Sequence, residues 1–392
     1  MGENKNRSKR IESIDLLRGL AMVLMALDHT RYFFHQGSAI FLPTDLDKTT
    51  LILFLTRFIT HICAPVFIFL AGTAAFLYGT NKKKKDLFTF LFTRGIWLII
   101  LGLVLNNFLW FFDLDFESIQ LQVIWAIGFS MICLSFSIFF PGKVILTIGI
   151  IIVAGHNLLD GISMEGNSLK SVIWYILHQE SVFRMGELRM IRISYPVLPW
   201  IGVMMLGYCF GSLYKKEVLV TRRRKWLLGT GIGSISLFFV LRILNIYGDP
   251  DQWIHYSNFT LTLMSFFNVT KYPASLDFIL ITLGPSMLIL ASTESIKNKF
   301  VDFLVVFGRV PLFYYFLHIF ILHSLVVIIG GNWKEFIFNH KPFDSVPLGT
   351  YELNLWIIYL VWILLIFALY PISKWYMNYK VRHRDKWWLS YL

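Results

Sequence analysis

The chain has 392 residues, 56% of them hydrophobic and only 15% charged, with a formal net charge of +12. A soluble domain carries about a quarter charged residues, so this composition excludes a soluble enzyme and points to a chain embedded in lipid. The positive balance comes in short runs such as "KKKK" (82–85) and "RRRK" (222–225), which read as topology determinants facing anionic lipid and call for no nucleic-acid partner.

Apolar runs near twenty residues recur along the chain, each able to cross a hydrocarbon core roughly 30 Å thick. They predict an all-α polytopic transmembrane helix bundle forming a single domain, 1–392, with about ten spans. These fall near 13–34, 51–79, 87–109, 119–140, 143–156, 196–214, 226–247, 274–292, 302–328 and 354–373. The runs are continuous, whereas barrel strands alternate apolar and polar residues. With the N-terminus inside, segments 1–12, 80–86, 141–143, 215–225, 293–301 and 374–392 hold 22 Lys and Arg, against 8 in the intervening outer loops. That asymmetry predicts both termini in the cytoplasm. The basic start and apolar first run resemble a signal peptide, but the run is too long and too charged, so it is expected to stay as the first span. Cys63, Cys133 and Cys209 all fall in predicted spans and form no disulfide framework.

The first span, "SIDLLRGLAMVLMALDHTRYFF" (13–34), carries Asp15, Arg18, Asp28, His29 and Arg31. A charge at mid-bilayer costs at least about 2.5 kcal/mol, so such groups face a protein interior or a wet cavity. At 100° and 1.5 Å per residue, Arg18 and His29 lie about 20° apart in azimuth and roughly 16 Å apart in height. One helix face thus carries an acid and an arginine near the inner end and an imidazole toward the outer end. Asp28 points about 80° away from Arg18, a direction in which it can orient or charge-pair with a histidine on a neighbouring helix. In the second span His61 is followed by Pro65, which frees a backbone carbonyl near it. In the ninth span, "FGRVPLFYYFLHIFILH" (307–323), Arg309 falls near the inner boundary and His318 at the depth of His29, with His323 higher.

This placement suits a long anionic substrate entering from the cytoplasm, with a histidine serving as base toward an acceptor from outside. Coenzyme A thioesters have that shape. A lone membrane histidine also serves as an ordinary interhelical hydrogen-bonding group. No HxxxH or HxxE spacing puts two metal ligands on one helix face, so no metal is expected. The loops "TDLD" (44–47) and "FDLDF" (112–116) offer DxD pairs of the kind that hold a divalent cation in a membrane glycosyltransferase, and buried charges also suit a transporter or flippase.

The blocks "SIDLLRGLAMVLMALDH" (13–29), "THICAPVFIFLAGTAAFL" (60–77), "YPVLPWIGVMMLGYCFG" (195–211), "KYPASLDFILITLGPSML" (271–288) and "FGRVPLFYYFLH" (307–318) resemble, in order, the bacterial relatives of heparan-alpha-glucosaminide N-acetyltransferase, in the wider transmembrane acyltransferase superfamily. The resemblance implies an integral membrane acetyltransferase that moves acetyl from cytosolic acetyl-CoA to a hydroxyl or amine of a sugar-like acceptor across the membrane, and it implies a homodimer. His29 falls where many superfamily members have a catalytic histidine. In the lysosomal branch that position resembles an asparagine and the histidine lies in the following loop, where this chain has His35. The expected machinery is His29 as base, His61 as the alternative, Asp28 as orienter, and Arg18, Asp15, Arg309 and His318 along the donor path. The loop 157–195, with Asp160, Glu165, Glu180 and Glu187, is the expected acceptor surface.

Overall fold

A computed structural model describes residues 11–35, 41–186, 189–329, 353–383, 385–386 and 389. The basic residues before Ile11, Glu187, and nearly all of the loop expected at 329–353 lie outside the described residues.

The chain opens with helix α1, Glu12–Phe34, whose 23 residues reach roughly 34 Å at 1.5 Å per residue. Its length suits a span, and most of its side chains are buried inside the protein despite their charges. The second predicted span is two helices, α2 (Leu51–Thr60) and α3 (Cys63–Gly79), separated by a turn at His61 and Ile62. Pro65 explains the break, because it has no N–H to return a bond to the carbonyl of His61. The third runs from Lys84 to Phe111: α4 (Lys84–Leu101), a π-helical turn over Gly102–Asn106, and α5 (Asn107–Phe111). Then come strand β1 (Ser118–Leu121), α6 (Val123–Ser137), and α7 (Gly142–Gly155) with a 3-10 extension to Leu159.

An irregular stretch follows, with the short helix α8 (Leu169–Leu177) and strands β2 (Ser181–Met185) and β3 (Arg189–Ile193). The remaining helices are α9 (Leu198–Phe210), α10 (Val220–Leu244), α11 (Phe259–Phe267), α12 (Leu276–Thr293), α13 (Lys299–Arg309), α14 (Pro311–Ile329) and α15 (Leu355–Arg382).

Among the described residues seven helical segments are long and apolar enough to cross a membrane, and α6 and α9 are shorter apolar helices beside them. The protein is therefore a polytopic helical membrane protein. Two expectations are corrected. The predicted span 302–328 is broken at Val310, where the backbone leaves the helical region (φ −132°, ψ 47°), because the residue before a proline is pushed out of the α conformation. The predicted span 119–140 begins as strand β1, and its helix starts only at Val123.

The strands form one small sheet in the order β1-β3-β2, β1 parallel and β2 antiparallel to β3. It caps one end of the bundle, here the sheet end. At the other, basic end the helix ends touch one another: Lys84 donates to the Phe139 carbonyl at 3.0 Å, and Arg223 pairs with Glu294.

The core is built around α1, which packs on α3, α13, α14 and α15. Its approach to α13 is set by glycines. A Cβ on Gly308 would sit 1.8 Å from the Asp15 carbonyl oxygen, and one on Gly19 would sit 1.9 Å from that of Leu304. Only hydrogen fits there, as at small-residue helix crossings in membranes generally. By contrast, α10 and α15 have only 22% of their apolar windows buried and face outward.

Candidate active site

The glycine contact at the basic end brings three of the expected residues together. The Asp15 carboxylate accepts from Arg18 Nη1 at 3.2 Å and from Arg309 Nε at 3.3 Å, and Arg18 also donates to the Gly308 carbonyl at 3.1 Å. Two guanidiniums around one carboxylate leave a net positive charge, and both arginines line a cavity of about 530 Å³. Arg94 and Lys380 line the same space. Further along, its wall is apolar and narrowed little by side chains: Met22, Leu70, Ala71, Ala74 and Ala75 from α1 and α3, with Leu98 from α4.

At the sheet end a second cavity of about 610 Å³ is lined by Asp28, His29, Arg31, Arg57 and His61 together with loop residues from four parts of the chain. Val123 and Tyr315 line both cavities, so the two chambers share a wall at that level. The volumes are in the range of small-molecule sites.

His29 stands at this junction. Its Nδ1 is 2.7 Å from Nε2 of His318, and the two rings are parallel, 3° apart in plane. The rings of Trp110 and Tyr315 meet His29 edge-on, at 5.0 and 5.9 Å between centroids, which clamps its orientation. Tyr315 is held in turn: its hydroxyl accepts from Trp110 Nε1 at 3.1 Å and donates to Asn106 Oδ1 at 2.7 Å. Asn106 is the last residue of the π-helical turn, a distortion often found at functional sites. Asn106 also donates to Gln122 at 3.1 Å, so a polar seam crosses the bundle where the chambers meet.

Asp28 is not on a histidine. Its carboxylate accepts from Arg31 at 3.0 and 3.3 Å and from Arg57, tying α1 to α2. The residue that holds the His29 ring is His318, which is fully buried and lines neither chamber. His61 lines the sheet-end chamber but is 4% exposed, lies against Phe278, and keeps a buried Nδ1 with no hydrogen-bond partner. His323 ties α14 to the end of α5 through the Leu109 carbonyl at 2.8 Å.

The sheet end adds residues that the sequence did not single out. Lys271 places its ammonium over the rings of Tyr272 and Tyr195, at 5.1 and 5.8 Å, a favourable cation–π arrangement. Burial raises the Tyr272 phenol, but Lys271 and Arg57 outweigh it and hold the group below its ordinary value. Gln120 of β1 also lines the chamber, and so does Glu180 from the expected acceptor loop, whose carboxyl is pushed up by partial desolvation against the opposing charge of Arg192. A signal for the seam was visible, since the pair Asn106–Asn107 interrupts an otherwise apolar run.

The DxD loops have a different use. The Asp113 carboxylate accepts backbone N–H groups of Asp115 at 2.9 Å and Ser118 at 3.2 Å, and Asp45 accepts that of Asp47 at 3.2 Å. Both act as turn-forming aspartates. Among the described residues no three His, Cys, Asp or Glu side chains gather where an ion would sit.

No curated protein matches the chain. The sequence model of the catalytic region of heparan-alpha-glucosaminide N-acetyltransferase matches residues 10–247, more than half of the chain and all of α1 through α10. With this match over more than half of its length and a helical membrane fold, the chain belongs to the heparan-alpha-glucosaminide N-acetyltransferase catalytic family and is a membrane acetyltransferase.

Proposed function

We propose that the protein takes an acetyl group from acetyl-CoA entering at the basic end, on the cytoplasmic side of the cell inner (plasma) membrane, and transfers it to a hydroxyl or amine of a sugar-like acceptor at the sheet end, on the extracytoplasmic side. One observation carries this reading: the two chambers meet at Tyr315 and Val123, with His29 on the wall beside that junction.

The residues fit the donor. Arg18, Arg94, Arg309 and Lys380 suit the phosphates of the nucleotide head, which guanidinium and ammonium groups bind by charge-assisted hydrogen bonds. The alanine and methionine wall beyond them suits the thin pantetheine arm, and its length from Arg18 to His29, roughly 16 Å along α1, suits a thioester arriving at the histidine. The acceptor enters among Glu180, Arg192, Lys271 and Tyr272.

In the reaction His29 takes the proton from the acceptor oxygen or nitrogen as that atom attacks the thioester carbonyl. The C–S bond breaks, acetyl remains on the acceptor, and the proton passes to the departing CoA sulfur. Direct transfer in a ternary complex needs no group beyond these, and positioned acid–base catalysis of this kind contributes about 10²–10⁴-fold. Membrane lipid is the surrounding partner, and a homodimer is the expected assembly.

The test uses purified protein in liposomes, radiolabelled acetyl-CoA on the basic-loop side, and a panel of amino sugars and glycans on the other. Label on the acceptor, lost in His29→Ala with the protein still folded, is the expected result. Uptake of a solute without covalent transfer overturns the reading in favour of a transporter, and full activity of His29→Ala removes that residue from the chemistry.

A further inference from the structure

The hydrogen bonds around His29 and His318 determine which ring nitrogen carries each proton. His318 Nδ1 lies 2.8 Å from the carbonyl oxygen of Tyr314, one turn earlier in α14. A carbonyl oxygen only accepts, so Nδ1 of His318 bears hydrogen and donates. A neutral imidazole has one N–H, and its other nitrogen is then a lone-pair acceptor. That second nitrogen, Nε2 of His318, is 2.7 Å from Nδ1 of His29. Two lone pairs cannot face each other at this distance, so Nδ1 of His29 bears hydrogen and donates as well. The single N–H of the neutral His29 ring is thereby used on the side facing His318. Its Nε2, which has no hydrogen-bond partner among the described residues, is left as a lone pair on a ring that lines the sheet-end chamber.

We propose that His318 is a positioning residue that selects the Nδ1–H tautomer of His29 and so makes Nε2 the proton-accepting atom. The relay runs from the Tyr314 carbonyl through His318 to His29, in one direction only, because its far end is a backbone oxygen that cannot donate. It does for His29 what a buried carboxylate does for the histidine of a serine-protease triad, fixing tautomer and ring orientation, but with a neutral partner. The surroundings suit that choice. His318 is 0% exposed, stacked on Tyr314 at 5.1 Å and edge-on to Tyr315 at 5.7 Å, where a second uncompensated carboxylate would be costly to bury. The nearest carboxylate on α1, Asp28, is already held by Arg31 and Arg57. During transfer the imidazolium formed on His29 keeps its Nδ1–H bond to His318 Nε2, so no rearrangement accompanies the proton's arrival at Nε2 or its departure to the sulfur.

This inference rests on His29 being the base, and its test separates the two claims. Nitrogen-15 spectra of histidine-labelled protein in lipid nanodiscs, assigned by comparison with His29→Ala and His318→Gln, read the tautomer without any turnover. The expected spectrum has a pyrrole-type Nδ1 and an imine-type Nε2 for His29, and an imine-type Nδ1 on His29 overturns the proposal. Kinetics give the second arm. His318→Leu removes the acceptor for His29 and is expected to lower kcat about 10²-fold with the KM for acetyl-CoA unchanged. His318→Gln has both an amide donor for Tyr314 and a carbonyl acceptor for His29, and is expected to recover at least ten-fold of that loss. Equal kcat in the Leu and Gln variants, or wild-type kcat in His318→Leu, overturns the positioning role. If His29→Ala keeps its activity while the spectrum shows the expected tautomer, the failure lies with the base assignment and not with the relay. Where a variant does not fold, the spectrum of the unaltered protein still decides.

Discussion

The two chambers are built in opposite ways. The basic-end chamber is walled by helices α1, α3, α4, α6, α13, α14 and α15, and its cations sit on four of those helices. The sheet-end chamber takes Gln120 and Arg192 from strands, Glu180 from the connection before β2, Lys271 and Tyr272 from an irregular loop and His61 from the turn between α2 and α3, above a helical floor that includes Asp28, His29, Arg31, Arg57, Trp110 and Tyr315. A chamber of packed helices is rigid and suits an invariant donor, while a chamber roofed by loops tolerates change, as binding loops on rigid scaffolds do generally. On the proposed reading the difference makes donor recognition and acceptor choice separable, with Val123 and Tyr315 lining both chambers and His29 beside them on the sheet-end side.

The most damaging way to test this is to attack the rigid half. Gly308→Val places side-chain atoms where the α1 backbone already sits, 1.8 Å from the added Cβ. The helices must separate, at a cost beyond the roughly 1–3 kcal/mol of ordinary overpacking. The expected outcome is loss of the monodisperse protein peak in detergent, with no acetyl transfer from what remains. A strained but folded and active protein would show that the α1–α13 contact does not define the donor chamber. Next in size is Arg57→Met. It removes one of the two guanidiniums on the partly buried Asp28 carboxylate, and breaking a fully buried pair costs about 3–5 kcal/mol, an upper bound here. The remaining Arg31 moderates that figure, so a clear drop in melting temperature with the acetyl-CoA KM unchanged is expected.

Smaller effects sharpen the separation. Arg94→Gln and Lys380→Gln at the basic end are each expected to raise the KM for acetyl-CoA about ten-fold, near the 1.4 kcal/mol scale of one charge-assisted contact, and to leave the acceptor KM alone. Lys271→Gln is expected to do the reverse. If Lys271→Gln raises the donor KM, or Arg94→Gln the acceptor KM, the chambers are not independent.

The helical half is also the half that the sequence displays. Because a helix repeats every 3.6 residues, the alignment of Arg18 with His29 follows from their spacing, and the Asp15–Arg18–Arg309 cluster follows from helices crossing at their basic ends. The meeting of His29 with His318 was legible as a shared depth, but not as a bond, since rotation about each helix axis depends on packing. The partner of Asp28 was not legible: Arg57 lies 29 positions away, and only the assembled fold brings it there. The break at Val310–Pro311 was written in the proline, yet the apolar run on both sides masked it. The sheet was hidden for a different reason. β1 and β3 pair across about seventy positions, and strand pairing of that separation leaves no local period to read. The chamber roof therefore emerged only with the structure.

The mildest probe concerns that roof. Glu180 is exposed, but the surrounding chamber wall partly desolvates its carboxyl and raises it above its ordinary value, with Arg192 opposing, so the folded protein holds this proton slightly more tightly than the unfolded chain. Where the folded state binds more protons, stability falls as pH rises. The contribution of Glu180 is therefore fully present below the ordinary carboxylate range and declines as pH climbs through that range to the raised value. Glu180→Gln removes the ionisation. The variant is expected to melt at the same temperature as the parent in acid and slightly above it at neutral pH, with the acceptor KM changed and the acetyl-CoA KM not. A variant less stable at neutral pH would mean that the ionised carboxylate is gaining more from Arg192 than it loses by desolvation, and the roof would then be held by an ion pair instead of by packing.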